Sequence, residues 1–166
     1  MGGRWYGYVA DMAMTFPVSG KFTQKQREIY TAVLEAQKAV KSTIKPGVKW
    51  DEMHLLAERV ILEHLMNIGI VNKSPMEELV EHRIGAIFFP HGLGHFFGLK
   101  VHDIGGYTDG PARSEKEGLS KLRTRRVLEE GMCITVEPGC YFIDFKIEKS
   151  LNDPVKSKYL NKEKID

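Results

Sequence analysis

The sequence predicts an α+β domain, because apolar side chains recur with two different periods in different parts of the chain. An alternating segment over residues 4–16 is followed by two segments with helical periodicity, and then by short apolar runs separated by glycine and proline. The order of a strand, helices and further strands is typical of α+β domains. With 166 residues, the chain has the size of one domain.

The first predicted element is a strand or one arm of a hairpin over residues 4–16. Bulky apolar side chains fill one face of this alternation, and mostly small residues fill the other. Asp11 lies on the face with small neighbours, where a carboxylate buried without a partner would cost free energy. Either this face is solvated, or its small neighbours leave room for a metal ion or a substrate. A turn over residues 17–20 ends the segment.

Two helices are predicted next, each from an N-terminal cap and an apolar stripe. Thr23 and Gln26 have the pattern of a capping box, which predicts a helix that extends to about Lys41. Asp51 is a suitable N-cap for a second helix, which extends to about Met66. The apolar residues of both segments recur every three or four positions, so each helix has one face for the core.

The second half of the chain predicts shorter elements. Residues 75–82 form a short helix, and the apolar run 84–89 forms a strand. A glycine-rich stretch follows at 91–98, where the backbone can approach a ligand closely. Residues 132–137 alternate again and predict another strand, and residues 145–166 form a lysine-rich tail with little apolar content.

Charge and composition exclude several classes of protein. Lysine and arginine number 24 against 22 acidic residues, and this net charge of +2 does not suit nucleic acid or an anionic membrane as the main partner. No segment approaches the roughly 18 apolar residues of a membrane helix. Asp11 interrupts the only candidate for a signal peptide. Cys133 and Cys140 are too few for a disulfide framework and indicate reduced thiols in a cytoplasmic protein.

Histidines and acidic residues on separate elements suggest a metal site. His91 and His95 have the spacing of a helical zinc pair, but the proline and glycines around them oppose a helix and favour a loop. Taken singly, each histidine is more typical of a structural role, and Glu137 of a solvated surface. His102 follows closely, which makes the histidine cluster denser than composition predicts. Together with Asp11, these side chains supply oxygen and nitrogen ligands that suit manganese, iron, cobalt or zinc.

The basic segment 123–126 has two interpretations. Either it is a solvated surface segment, or one of its arginines turns inwards and binds a substrate carboxylate through two parallel hydrogen bonds. Cys133 shares a face of its predicted strand with Glu137, and packing is the simpler role for this thiol.

Several separated motifs occur in a fixed order along nearly the whole chain. They are FPHGLGH at 89–95, VHDIGGY at 101–107, LRTR at 122–125, TVEPG at 135–139 and YFID at 141–144. With the opening residues 1–11 and the segment 17–24, this set resembles the prolidases, the Xaa-Pro dipeptidases among the pita-bread metallopeptidases. The strings HDIGGY and YFID favour prolidases over aminopeptidase P and methionine aminopeptidase, which share the fold.

The resemblance implies a pita-bread fold that binds two metal ions, usually manganese. The family holds these ions with two aspartates, one histidine and two glutamates. Asp11 matches the aspartate that bridges both metals, His95 matches the histidine ligand, and Glu137 matches the first glutamate.

The resemblance also implies residues that act on a small dipeptide substrate with a C-terminal proline. His91 and His102 match histidines that do not bind metal but contact the substrate and stabilise the tetrahedral intermediate. Arg123 matches the arginine that holds the carboxylate of the proline.

The family pattern leads us to expect that residues 1–166 are a partial catalytic domain, incomplete at both ends. The family's first aspartate would directly precede Met1, and its second glutamate would lie beyond Asp166. We also expect residues 1–166 to exclude the family's N-terminal domain, which builds much of its homodimer. We therefore expect the chain to hold at most one metal weakly, to have little or no peptidase activity, and to associate through exposed apolar surface.

Two alternatives remain beside a prolidase-type metallopeptidase. The chain could be a non-catalytic pita-bread interaction module, or a partial gene model without an activity of its own. The presence of all six matched site residues argues against the module, because a scaffold that had lost catalysis would not need them.

Overall fold

The chain begins with a short antiparallel hairpin, at the exposed edge of the molecule. The structure, a computed structural model, describes residues 2–108 and 110–165. Met1 and Asp166, the two ends of the chain between which the family pattern is expected, lie outside the described residues. Strand β1 spans Gly2–Trp5 and pairs with β2, Tyr8–Asp11, so that Gly2 lies opposite Asp11. Tyr6 and Gly7 both have positive φ, the backbone that suits a tight hairpin turn.

The strand predicted over residues 4–16 is therefore a hairpin that ends at Asp11. Residues 12–16 extend the alternation in sequence but form no strand in the structure. Met14 and Phe16 are 87% and 76% exposed, so no packed layer within the described chain holds this segment against a sheet. Period-two patterning predicts a strand only where a neighbouring strand and a covered face are available.

Two long helices form the core of the molecule. Helix α1 spans Gln24–Thr43 and helix α2 spans Trp50–Asn67, and the two pack against each other. The capping box is confirmed, because the Gln26 amide donates to Thr23 Oγ1 over 3.3 Å and the Thr23 amide donates to Gln26 Oε1 over 2.9 Å.

The predicted cap of α2 is wrong. The N-cap is Lys49, two residues earlier than predicted, so the helix begins at Trp50, and the Lys49 side chain makes no capping hydrogen bond. The Asp51 carboxylate instead accepts two hydrogen bonds from Arg125, over 2.9 and 3.1 Å. This ion pair ties the N-terminal turn of α2 to the basic segment of the second half.

The strand predicted over 84–89 is also wrong. Helix α3 spans Met76–Glu81, and a single buried turn, α4, spans Gly85–Phe88. The Phe89 amide donates to Gly85 O over 2.7 Å and closes this turn. A short apolar run fits a buried helical turn as well as a buried strand, so periodicity cannot distinguish them.

The strand predicted over 132–137 is extended but, among the described residues, forms a single isolated bridge, between Phe96 and Ile134. Three backbone hydrogen bonds run antiparallel between this segment and the glycine-rich stretch: Glu137 N to Leu93 O, Thr135 N to His95 O, and Phe97 N to Cys133 O. The pairing brings the two motif-bearing segments side by side.

The lysine-rich C-terminal region packs against the core instead of forming a tail. Helix α5 spans Asp144–Leu151 and helix α6 spans Lys162–Ile165. Ile147 and Leu160 are buried, and Leu160 forms a bridge with Val71. Among the described helices, none combines the length and apolar character needed to cross a bilayer.

Candidate metal centre

Three side chains from distant parts of the chain converge on one point. His95 Nε2 lies 3.2 Å from Asp11 Oδ2 and 3.0 Å from Glu137 Oε1. One possible ligand atom from each residue lies within 4.8 Å of the others. His95 is buried, whereas the side chains of Asp11 and Glu137 are 28% and 42% exposed, so the cluster opens to solvent on its carboxylate side.

Local backbone pairing places each of these side chains. Asp11 ends β2, and the hairpin is attached to the glycine-rich stretch because the Val9 amide donates to Gly98 O over 2.8 Å. A side chain at Gly94 would place its Cβ 2.0 Å from Thr135 O, so glycine is needed where the two segments approach.

The hydrogen bonding of His95 favours a cation at this point. His95 Nδ1 lies 2.9 Å from the carbonyl oxygen of Phe96, which can only accept, so Nδ1 carries the hydrogen of the neutral ring. Nε2 faces two carboxylates, and in the tautomer with its hydrogen on Nδ1 the ring presents the Nε2 lone pair to a metal ion. A divalent metal satisfies such a set of nitrogen and oxygen donors, and a backbone carbonyl on the second ring nitrogen is a common support for a histidine ligand.

Thr135 supports the cluster and was missed in the sequence analysis. Its hydroxyl donates to Glu137 Oε1, and its Oγ1 accepts from the His95 amide over 3.0 Å. One buried side chain therefore fixes the positions of two donors. The available signal was its place two residues before Glu137, on the same face of an extended segment.

His91 is engaged at both ring nitrogens. Nδ1 lies 2.8 Å from Gly92 O, and Nε2 lies 2.9 Å from the Tyr141 hydroxyl. Because the carbonyl must accept, the neutral ring donates through Nδ1 and accepts the Tyr141 hydroxyl hydrogen at Nε2. Tyr141 is a second residue that was not singled out as a site residue, although it lies in the YFID motif.

His102 lies beside His95 with its ring nitrogens unbonded. The two imidazole centroids are 4.4 Å apart, with the rings nearly perpendicular. Burial, followed by the charges of Arg123 and His95, lowers the pKa of His102 and favours its neutral form. Within residues 2–108 and 110–165, neither ring nitrogen of His102 has a hydrogen-bond partner, so one N–H is available for a ligand.

A cavity of about 450 Å³ joins these groups. The residues that line it include three histidines, one acid and two cations: His91, His95, His102, Glu137, Lys121 and Arg123. Asp11 lies at its edge, in contact with His95. Across the part of the chain that the structure describes, neither cation forms an ion pair. All six predicted site residues are thus brought together.

The most similar known proteins include several Xaa-Pro peptidases. The human Xaa-Pro dipeptidase is 48% identical over 163 residues, which cover 98% of this chain and 33% of that protein. A probable Xaa-Pro aminopeptidase of Sordaria macrospora is 45% identical over 161 residues, 96% of this chain and 34% of that protein. The chain therefore spans about one third of the length of the curated relatives it matches.

Solved structures of aminopeptidase P share the fold. A single-residue variant of the Escherichia coli enzyme superposes with a TM-score of 0.73 at 36% identity and covers 93% of this chain and 31% of that one. The zinc-substituted E. coli enzyme in complex with product gives a TM-score of 0.70 at 37% identity, over 90% of this chain and 30% of that one. These neighbours confirm the expected pita-bread fold, of which this chain covers a part.

The model of metallopeptidase family M24 matches residues 1–155, almost the whole chain. The match agrees with the donor set and with the cavity that joins it to two further histidines, His91 and His102. On this evidence, the chain belongs to metallopeptidase family M24.

Proposed function

We propose that these residues serve a prolidase-type enzyme that hydrolyses Xaa-Pro dipeptides with the help of a metal. The observation that carries the proposal is the convergence of Asp11, His95 and Glu137, whose donor atoms lie within 4.8 Å of one another beside a cavity. The names of the human and mouse relatives, both Xaa-Pro dipeptidases, support the choice of substrate.

The three donors would hold one divalent ion, for which we propose Mn²⁺. Carboxylate oxygens suit Mn²⁺, and one imidazole nitrogen is compatible with it. When bound, such an ion supplies Lewis acidity and lowers the pKa of water enough for attack at neutral pH. The chain's own contribution is to fix the donors, through the Thr135 hydroxyl and the carbonyl of Phe96.

The remaining residues divide the work of binding and charge stabilisation. His102 has a free N–H, and we assign it to the substrate oxygen that becomes negative in the transition state. His91 is held by Tyr141 and by Gly92 O, so in this arrangement it positions the cavity wall, and its Nε2 can accept a hydrogen bond from a ligand only if the Tyr141 contact opens. Arg123 would bind the proline carboxylate through two parallel hydrogen bonds.

Selectivity for proline must come from shape and from the terminal carboxylate. The scissile amide before proline has no N–H, so the enzyme cannot recognise it through a hydrogen-bond acceptor. A walled cavity with an unpaired arginine provides the two features that remain, a shaped surface and an anion site.

We place the proposed enzyme in the cytoplasm, with a peptide as its substrate and neither nucleic acid nor a membrane as its partner. The near-neutral charge balance and the two free cysteines, Cys133 and Cys140, support this assignment. A homodimer is proposed by analogy with the prolidase family.

The test is proline release from Gly-Pro in the presence of Mn²⁺, with Gly-Gly as the control peptide. We expect slow release, because the described residues supply ligands for a single ion. Release should stop on chelation and in the variant His95→Gln, and Gly-Gly should remain intact. If the unmodified chain neither binds nor hydrolyses Gly-Pro, or if His95→Gln hydrolyses it equally well, the proposal is wrong.

A further inference from the structure

Two cations project from one wall of the cavity. Lys121 and Arg123 flank Leu122, which is fully buried, and both cations line the cavity. Leu122 has an extended backbone, with φ −58° and ψ 137°. Lys121 ends a short 3-10 turn, Leu119–Lys121, and Arg123 follows Leu122, so the Cα atoms of the two cations are at most about 7 Å apart.

The backbone at the two cations lies beside different ends of the cavity. A Cβ at Gly106 would lie 2.1 Å from Arg123 O, and the charge of Arg123 acts on His102, whose ring contacts that of His95. A Cβ at Gly92 would lie 2.9 Å from Lys121 O, so Lys121 lies beside the His91 end. Arg123 is therefore near the metal-ligand cluster, and Lys121 is further along the wall.

We propose that Lys121 is a specificity-determining residue that binds the terminal carboxylate of a tripeptide Xaa-Pro-Yaa. This inference rests on the proposed function, in which Arg123 binds the carboxylate of a dipeptide. One added residue moves the terminal carboxylate by about 3.5 Å along an extended peptide. The flexible lysine stem covers the rest of the distance, and the unpaired ammonium supplies the charge.

The experiment is a titration of the full chain with each peptide, monitored by NMR. The buffer is metal-free so that no peptide is hydrolysed. The probes are Gly-Pro, Gly-Pro-Ala and Gly-Pro-Ala with an amidated C-terminus. The variants are Lys121→Gln and Arg123→Gln. Lys158→Gln, which changes an exposed lysine outside the cavity lining, is the matched control.

Lys121→Gln should lower the affinity for Gly-Pro-Ala by about three- to fivefold, the size of a solvent-accessible charge contact, and leave the affinity for Gly-Pro unchanged. The amidated tripeptide should bind the unmodified chain and Lys121→Gln equally. Arg123→Gln should lower the affinity for Gly-Pro, and Lys158→Gln should change the affinity for none of the three peptides.

The outcomes separate this inference from the function on which it rests. If Lys121→Gln lowers the affinity for Gly-Pro as much as that for Gly-Pro-Ala, the two cations share one carboxylate and the tripeptide assignment is wrong. It is also wrong if Lys121→Gln weakens neither, or if a dipeptide with an acidic first residue shows the larger loss. If no peptide binds the unmodified chain, the proposed function fails first.

Discussion

His95 Nε2 lies 3.0 Å from Glu137 Oε1, although the two residues lie more than forty positions apart in the sequence and belong to different segments. The antiparallel hydrogen bonds of Thr135 and Glu137 to the glycine-rich stretch hold this distance. Asp11 completes the cluster from the N-terminal hairpin, so three parts of the chain meet at one point. Changes in any of the three should therefore alter metal binding.

Thr135→Val tests the support behind two of the donors. The variant loses the hydroxyl that donates to Glu137 and accepts from the His95 amide. Loss of such a supporting hydrogen bond should weaken Mn²⁺ binding by about ten- to a hundredfold. Calorimetric titration with Mn²⁺ measures the effect. Thr135→Ser, which keeps the hydroxyl, should retain the affinity, and so should Thr124→Val, a matched change at another buried threonine.

The two non-ligand histidines should differ in their effect on turnover. His102→Phe removes a free N–H donor and should lower the rate of proline release by about a hundredfold. His91→Phe breaks the contact with Tyr141 and should lower the rate less, as should Tyr141→Phe. Equal losses in His102→Phe and His91→Phe would contradict this division of roles.

Local signals in the sequence were sufficient where a side chain interacts with its own helix. Thr23 and Gln26 predicted the start of α1 because both partners of the capping box lie within one turn. Asp51 looked equally suitable as a cap, but its carboxylate pairs with Arg125, far away in sequence. The sequence carries no local signal for that competition.

The six site residues were predicted by motif, whereas their hydrogen bonding was not. Resemblance to a family selects the residues proposed to perform chemistry, and all six come together in the structure. The roles of Thr135 and Tyr141 depend on which segments lie side by side, which only the fold shows. For the same reason, the buried run 84–89 was mistaken for a strand, because burial on all sides removes the periodic signal.

The two cysteines should differ in reactivity. Burial raises the pKa of Cys140 to about 12, so almost none of it is thiolate at mildly alkaline pH. Cys133 is exposed. Iodoacetamide should therefore add a single group to the native chain, located at Cys133 by mass spectrometry, and should reach Cys140 only after denaturation. Rapid alkylation of the native Cys133→Ser variant would contradict the protection expected for the partly buried thiol of Cys140.

His54 should make the fold sensitive to acid. It is fully buried in α2 and stacks on Phe89, with ring centroids 4.7 Å apart. Burial, with smaller effects from the charges of Arg83 and His91, lowers the pKa of His54 from 6.5 to about 3. Between pH 6.5 and about pH 3, the unfolded chain binds a proton at His54 that the folded chain does not. His54 therefore lowers the free energy of unfolding as pH falls, by about 1.4 kcal/mol per pH unit.

Chemical denaturation across that pH range, compared with His54→Gln, isolates this contribution. Burial raises the pKa of Glu58, and this shift increases the free energy of unfolding as pH falls, because the folded chain keeps a proton that the unfolded chain releases. Subtracting the stability curve of His54→Gln from that of the unmodified chain removes most of the Glu58 effect. The variant should lose less stability than the unmodified chain as pH falls, and parallel curves would show that His54 is not buried as a neutral ring.

The most direct test of the account is the number of Mn²⁺ ions that the chain binds, measured by electron paramagnetic resonance of the free ion during titration. The account predicts one ion per chain, lost in His95→Gln and retained in His82→Gln, whose imidazole stacks on Tyr159 away from the cluster. A chain that binds no Mn²⁺, or whose binding is unchanged in His95→Gln, would contradict the claim that Asp11, His95 and Glu137 form a metal site.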